Sequence, residues 1–223
     1  MVHFKKKIAV LFDMDGVVVN SMPFHTKAWI EFSRQYGFKI NKSTVLHKFS
    51  GRVNKEILED LFKKKLSKSE LDKIITEQEN YYRNIFKDKA KPILGLIKFL
   101  EELKRAKIPA VLATAGPPEN VNFVLRATKT KKYFRNVVNA SHVVNGKPHP
   151  EIFLKAAKLE KTSPKQCVVF EDGMLGIQAA RNAGMKVVGV ATAHSFKELQ
   201  HSDLVIKNFK NLSLQKIYGL FEI

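Results

Sequence analysis

The chain turns on the stretch Val10-Leu11-Phe12-Asp13-Met14-Asp15-Gly16-Val17-Val18-Val19-Asn20. Residues 8–12 form a continuous apolar run of strand length that ends in a carboxylate. A run of this kind, without alternation, reads as a buried strand of a parallel sheet. Open α/β sheets place their chemistry at the carboxyl ends of such strands, so Asp13 is expected at the mouth of a site. A second carboxylate, Asp15, follows two residues later, and Gly16 lets the chain turn away sharply. Asp and Gly are also common turn residues, so this stretch alone leaves open a strand closed by an acidic turn. A calcium loop is excluded. That pattern wants Asp or Asn at the fifth position and Glu at the twelfth, where this chain has Val17 and Phe24.

From Pro23 the period changes. Phe24, Ala28, Trp29, Phe32 and Tyr36 read as an amphipathic helix stopped by Gly37, with Trp29 in its core. Residues 55–65 and 68–86 keep a helical period, with Leu71, Ile74, Ile75, Tyr81, Tyr82 and Ile85 roughly three or four apart. No strand pattern appears between residues 20 and 91, so a helical unit inserted after the first strand is expected, with its exit at Lys91-Pro92. Beyond it helices (93–106, 119–128, 150–159 and 175–183) alternate with strands (110–114, 137–138, 167–170, 187–190 and an edge strand at 204–206). Alternation of this kind predicts the α/β class, with a parallel sheet covered on both faces.

The composition sets outer bounds. The chain has 223 residues, 44% hydrophobic and 27% charged, as in a soluble globular protein. Its single cysteine, Cys167, excludes an internal disulfide framework and lies in a strand-like run, as a buried structural thiol would. The formal charge is +18. The lysines are spread along the chain without a basic tail, which favours general attraction of phosphate anions over a nucleic-acid partner. No apolar run reaches transmembrane length. The basic start Lys5-Lys6-Lys7 precedes an apolar core too short for a signal peptide, so a cytoplasmic protein is expected.

Four strand ends carry polar residues: Asp13 and Asp15, Thr114, the loop around Lys147, and Glu171 with Asp172. Parallel strands point the same way, so all four should meet at one edge of the sheet. Several ionised carboxylates share a site only with a cation present. Oxygen-only ligands suit Mg²⁺. A lysine and a threonine beside it suit a phosphoryl group. Glu171 and Asp172 also stand where an N-cap would, ahead of a helix.

These segments resemble the haloacid dehalogenase superfamily, in the subgroup similar to β-phosphoglucomutase and its phosphatase relatives. The likeness is carried by Phe12-Asp13-Met14-Asp15-Gly16-Val17, Leu112-Ala113-Thr114, Gly146-Lys147-Pro148-His149-Pro150-Glu151, and Phe170-Glu171-Asp172-Gly173 with Gly176-Ile177-Gln178-Ala179-Ala180. The resemblance implies a Rossmann-like catalytic core over 1–19 and 92–223 and a mobile helical cap over 20–91. It implies Asp13 as nucleophile on phosphorus and Asp15 as acid and base. Thr114 and the N–H of the following Ala115 would hold phosphate oxygens, and Lys147 would bridge phosphate and Asp13. Mg²⁺ would be held by Asp13, the Asp15 carbonyl and Asp172, with Glu171 near. A halide leaving group needs no proton whereas an alkoxide does, so Asp15 favours phosphoryl transfer over dehalogenation. The Lys147-Pro148 bond is a candidate for the cis form.

In the cap, His25 matches a positioning histidine of the subgroup, and Gly51-Arg52 a substrate-contacting motif. Where the mutase has an Arg three residues after that Gly, this chain has Asn54; its basic groups there are Arg52 and Lys55. Glu77 lies near the place of the mutase's second cap lysine. The expected activity is therefore a Mg²⁺-dependent phosphatase of a small phosphorylated metabolite, with a sugar phosphate as one candidate. A β-phosphoglucomutase-type isomerase is the alternative.

Overall fold

The first strand, β1 (Ala9–Phe12), is buried at every position. Its partners explain this. It lies between β2 (Ala110–Ala113) and β4 (Cys167–Glu171). β3 (Phe134–Val138), β5 (Lys186–Val190) and β6 (Leu204–Ile206) complete a parallel sheet in the order β3-β2-β1-β4-β5-β6. The order runs outward from β1 in both directions, so the crevice at its carboxyl end is the switch point where such sheets bind ligands. This computed structural model describes residues 7–221. The Lys5-Lys6 pair used in the leader reading lies outside them.

After β1 the chain enters the helical insert. It comprises α1 (Met22–Gln35), a short α2 (Lys42–Thr44) that runs into a π-helical turn (Val45–Phe49), α3 (Asn54–Phe62) and α4 (Lys68–Phe86). The insert has its own apolar cluster, in which Trp29 meets Phe32 and Phe49 edge-on. Gly37, at φ +75°, closes the first helical stretch in a conformation that costs glycine little. α3 ends three residues before the expected 65, because Lys63 adopts the left-handed conformation and stops it. A capping box of Ser67 and Glu70 starts α4. The chain enters and leaves side by side: Val19 pairs antiparallel with Pro92, and Ile93 N–H donates to Val18 O at 3.0 Å.

Helices cover both sheet faces. α5 (Leu96–Arg105), α6 (Pro118–Thr128) and, behind them in sequence, α7 (Glu151–Leu159) and α8 (Met174–Asn182) follow β-strands in turn, and α9 (Leu214–Gly219) closes the chain. Strand side chains alternate between faces. Val10 and Phe12 join the residues of α5, α6 and α9, whereas Ala9 and Leu11 join those of α7 and α8. Phe12 stacks on Phe170 at 5.0 Å, with Phe99, Phe134 and Phe209 around the pair. Full burial of one such ring contributes about 1.5–3 kcal/mol. Cys167 is buried in β4, and burial pushes its thiol up to about 12, so it stays protonated. Among the described residues no helix is long and apolar enough to cross a membrane.

Candidate active site

β1 delivers Asp13 into the crevice, buried, and the next residues fold back at once. The N–H groups of Val18 and Val19 both donate to Met14 O, and Gly16 N–H donates to Val19 O at 2.7 Å. Gly16 sits at φ +78°, and a Cβ there would lie 1.9 Å from Asp172 Oδ2. Only glycine lets the first loop and the loop after β4 come this close.

β4 ends in Glu171 and Asp172, both buried. Glu171 Oε1 accepts from the N–H groups of Asp172 and Gly173 at 3.2 and 3.1 Å. Lys147 reaches in from the loop before α7, beside a cis peptide bond to Pro148. Its Nζ donates to Asp13 Oδ1 and to Glu171 Oε2, each at 2.7 Å. β2 supplies Thr114, whose Oγ1 accepts from Gly116 N–H at 3.0 Å.

The electrostatics follow from burial. Desolvation, and then the charge of Glu171, push Asp13 up to about 8 despite Lys147. Burial, and then the charges of Glu171 and Asp13, hold Asp172 well above the usual carboxylate range. Lys147 is held above its ordinary value: burial opposes the charge, but Asp13 and Glu171 outweigh it. One ammonium faces three carboxylates here. One oxygen each from Asp13, Glu171 and Asp172 can lie within 4.8 Å of the others. Asp172 Oδ2 is buried with no hydrogen-bond partner among the described residues. A buried acceptor left bare is costly. An orphaned oxygen in an all-oxygen donor set fits a hard dication such as Mg²⁺.

Asp15 is held differently. Its Oδ1 accepts from Ser21 Oγ at 2.5 Å and lies 3.1 Å from His25 Nε2. Burial pushes Asp15 up, but the His25 charge and the two hydrogen bonds leave it below its ordinary value. Burial pushes His25 down, and Asp15 more than reverses this, so His25 ends above its ordinary value. The His25 ring stacks on Tyr82 with centroids 3.7 Å apart. The two neighbouring carboxylates thus differ in basicity: burial and Glu171 hold Asp13 up, whereas His25 and Ser21 hold Asp15 down.

The insert roofs this crevice. The cavity between them is about 70 Å³ and is lined by Asp13, Asp15, His25, Thr114, Ala115 and Asp172 from the first loop, α1 and the core, and by Gly51, Arg52 and Asn54 from the insert. Gly51 stands against the Lys147 side chain, where a Cβ would approach Cδ to 3.3 Å. Arg52 reaches the cavity, yet its guanidinium is tied to Asp60 at 2.8 Å and to Glu56 at 3.4 Å. Lys55 is exposed and does not line the cavity. Glu77 bonds Tyr36 on the outer surface of the insert, away from the crevice.

The acid of the insert that does line the cavity is Glu79, which the sequence reading passed over. It is buried, and its two oxygens accept from Asn54 Nδ2 and Asn120 Nδ2, both at 2.6 Å. Asn120 Oδ1 in turn accepts from Arg83 at 2.6 Å. The signal was present: Glu79 falls three and four residues from Tyr82 and Ile75, on the apolar side of α4, where a charge needs partners.

With this geometry in view, relatives can be compared. Among curated proteins, the fructose-1-phosphate phosphatase of Escherichia coli strain K12 is 31% identical, over 84% of this chain and 98% of that one. The β-phosphoglucomutase of Bacillus subtilis strain 168 is 28% identical over 96% of this chain and 95% of that one. A crystal structure of a family IA hydrolase from Entamoeba histolytica is 30% identical and superposes with a TM-score of 0.84, covering 97% of this chain and all of the other. The model of the haloacid dehalogenase-like hydrolases matches residues 9–184, a span that holds every side chain of the crevice described above, and the chain belongs to that family.

Proposed function

We propose that this protein is a Mg²⁺-dependent phosphatase of a small phosphorylated metabolite, with sugar phosphates as its substrate class, acting through an aspartyl phosphate on Asp13. The observation that carries this reading is the convergence of Asp13, Asp15, Thr114, Lys147, Glu171 and Asp172 in one buried crevice beneath a helical roof. A phosphatase among the relatives acts, by its name, on a sugar phosphate.

In this reading an Asp13 oxygen attacks phosphorus in line, and the bond to the ester oxygen breaks. Asp15 delivers to that departing oxygen a proton that it draws from its partner His25. It then removes a proton from the water that attacks the phosphoenzyme, so phosphate leaves and both aspartates return to their starting state. Lys147 holds Asp13 in place and neutralises part of the charge that develops. Thr114 Oγ and the Ala115 N–H bind phosphate oxygens. Asp13, Asp172, the Asp15 carbonyl and Glu171 would hold Mg²⁺, which when bound offsets the repulsion between carboxylates and phosphate. His25 and Ser21 fix the direction of the Asp15 carboxylate. Residues 20–91 act as the cap. The paired crossings at Val19 and Pro92 are the hinge on which the cap would open to substrate.

Hydrolysis is favoured over isomerisation by the cap lining. A mutase must hold the far phosphate of a bisphosphate with cap cations. Here Arg52 is already paired with two acids, and Asn54 serves Glu79. The test incubates the protein with Mg²⁺ and β-glucose 1-phosphate, fructose 1-phosphate and related esters, with and without the matching bisphosphate. Steady phosphate release without a bisphosphate is expected. Bisphosphate-dependent formation of glucose 6-phosphate that outpaces phosphate release would replace this reading with the isomerase.

A further inference from the structure

A second group of metal-ligand side chains lies outside the catalytic crevice. His47 belongs to the π-helical turn of the insert. His194 and Glu198 belong to the loop that follows β5 in the core. One donor atom from each can be chosen so that all three lie within 4.8 Å of one another. The two imidazole rings have centroids 5.3 Å apart.

His194 is the buried member of the group. Its side chain is 1% exposed. Nδ1 lies 3.2 Å from Glu198 Oε1, while Nε2 is buried with no hydrogen-bond partner among the described residues. Nδ1 is thus the ring nitrogen that faces Glu198, and an ion ligated by both would replace the hydrogen bond between them. Glu198 is itself steadied by Ser195, whose N–H and Oγ donate to Oε2 at 2.8 and 2.7 Å.

We propose that His47, His194 and Glu198 form a second metal site, for a d-block dication of the Zn²⁺ type, that spans the insert and the core. Imidazole nitrogens select such ions over Mg²⁺, which prefers oxygen. Two histidines, a carboxylate and one water complete a four-coordinate shell. Donors on a tetrahedral Zn²⁺ stand about 3.3 Å apart, given Zn–N bonds of about 2.0–2.1 Å, so the side chains need to close by no more than about 1.5 Å. His47 is exposed and free to make that adjustment.

The position gives the site a consequence. The loop that bears His194 also bears Thr192, whose Oγ1 donates to Gly16 O, in the turn after Asp13, at 2.7 Å. An ion held by His47 and His194 would therefore join the insert to the wall of the catalytic crevice and resist its opening.

The test uses the full chain in excess Mg²⁺, so that the all-oxygen site is occupied. Zn²⁺ is titrated by calorimetry into the wild type and into His47→Ala, Glu198→Gln and Asp172→Asn. His47 is exposed, so its truncation leaves the fold intact and keeps the test decisive even where a His194 variant does not fold. Micromolar binding is expected, weakened at least about tenfold in His47→Ala and Glu198→Gln but kept in Asp172→Asn. Zn²⁺ should also raise the wild-type Tm, and less so that of His47→Ala, because a ligand bound only by the native form stabilises it. No binding up to millimolar Zn²⁺, or equal binding and equal Tm shifts in wild type and His47→Ala, would overturn the proposal. Both readouts are independent of phosphatase activity.

Discussion

Lys147→Met isolates the charge balance at the centre of the crevice. Lys147 Nζ stands 2.7 Å from both Asp13 Oδ1 and Glu171 Oε2, and all three side chains are under a tenth exposed. At an effective dielectric near 20, each contact has a gross attraction of about 6 kcal/mol. Desolvation of the three ions offsets most of the sum. What the substitution does is leave two carboxylates buried without their cation, a change that typically costs about 3–5 kcal/mol. Asp13 limits the loss, because it is already pushed up to about 8 and readily takes a proton. For a domain of this size about 1 kcal/mol corresponds to roughly 2–4 °C in Tm, so the variant should melt about 6–20 °C lower in chelator. The assay is thermal unfolding by circular dichroism at pH 7, with and without Mg²⁺. Mg²⁺ should recover part of the lost stability in the variant while activity stays absent. Lys147→Met with Asp13→Asn should melt above the single Lys147→Met variant, because the unpaired charge is gone. A single-variant Tm within about 2 °C of wild type in chelator would refute the claim that this lysine neutralises the cluster.

Asp13→Asn should keep the wild-type far-ultraviolet spectrum and lose turnover; substantial residual phosphate release would exclude the covalent route. Chelation should abolish activity, and Asp172→Ala should weaken Mg²⁺ binding by calorimetry; an unchanged affinity would remove the orphaned oxygen from the ligand set. Glu79→Gln should raise KM more than it lowers kcat, because it loosens Asn54 and Asn120 at the cavity wall without touching the aspartates; a pure kcat effect would contradict this. For the Asp15–His25 pair the signs are opposite at the two ends. Asp15 is depressed, so its contribution is present above its unfolded value and lost as pH falls through the lower folded one. His25 is raised, so its contribution is full below about 6.5 and lost as pH climbs through the higher folded value. His25→Gln should flatten the alkaline side of the Tm–pH curve, and a curve parallel to wild type would dissolve the ion pair.

The core was legible because its strands are continuous apolar runs that end in polar side chains, and a parallel sheet converts that pattern into one shared edge. That Asp13, Thr114 and Glu171 share one edge follows from topology, whereas the Lys147 contact with Asp13 was legible only through the family resemblance. The insert was harder. Its helices were visible from their period, but which side of α4 faces the crevice depends on how the insert docks. Glu77 drew attention by its position in the chain, whereas Glu79, two residues on, is the one turned inward. The basic character of Lys55 is equally plain in the sequence and is spent on solvent, since α3 points it outward. The turn formed by residues 42–49 is too short to show a period. The true extent of β3, which begins at Phe134 rather than at 137, was masked by Arg135 and Asn136, polar residues tolerated at the sheet edge.

The adjacent crossings at Val19 and Pro92 bear on how such a protein can change over time. The two ends of the insert already touch, so its removal leaves a gap that a short turn can bridge, and no strand of the sheet has to be re-registered. The core can therefore host roofs of different size and lining without renegotiating its own packing, and the insert can drift in sequence under selection for what it admits. In the proposed reading, chemistry and selectivity would be inherited through separate segments of one chain, and a new substrate preference would arise by altering residues 20–91 while the aspartates stay where β1 puts them.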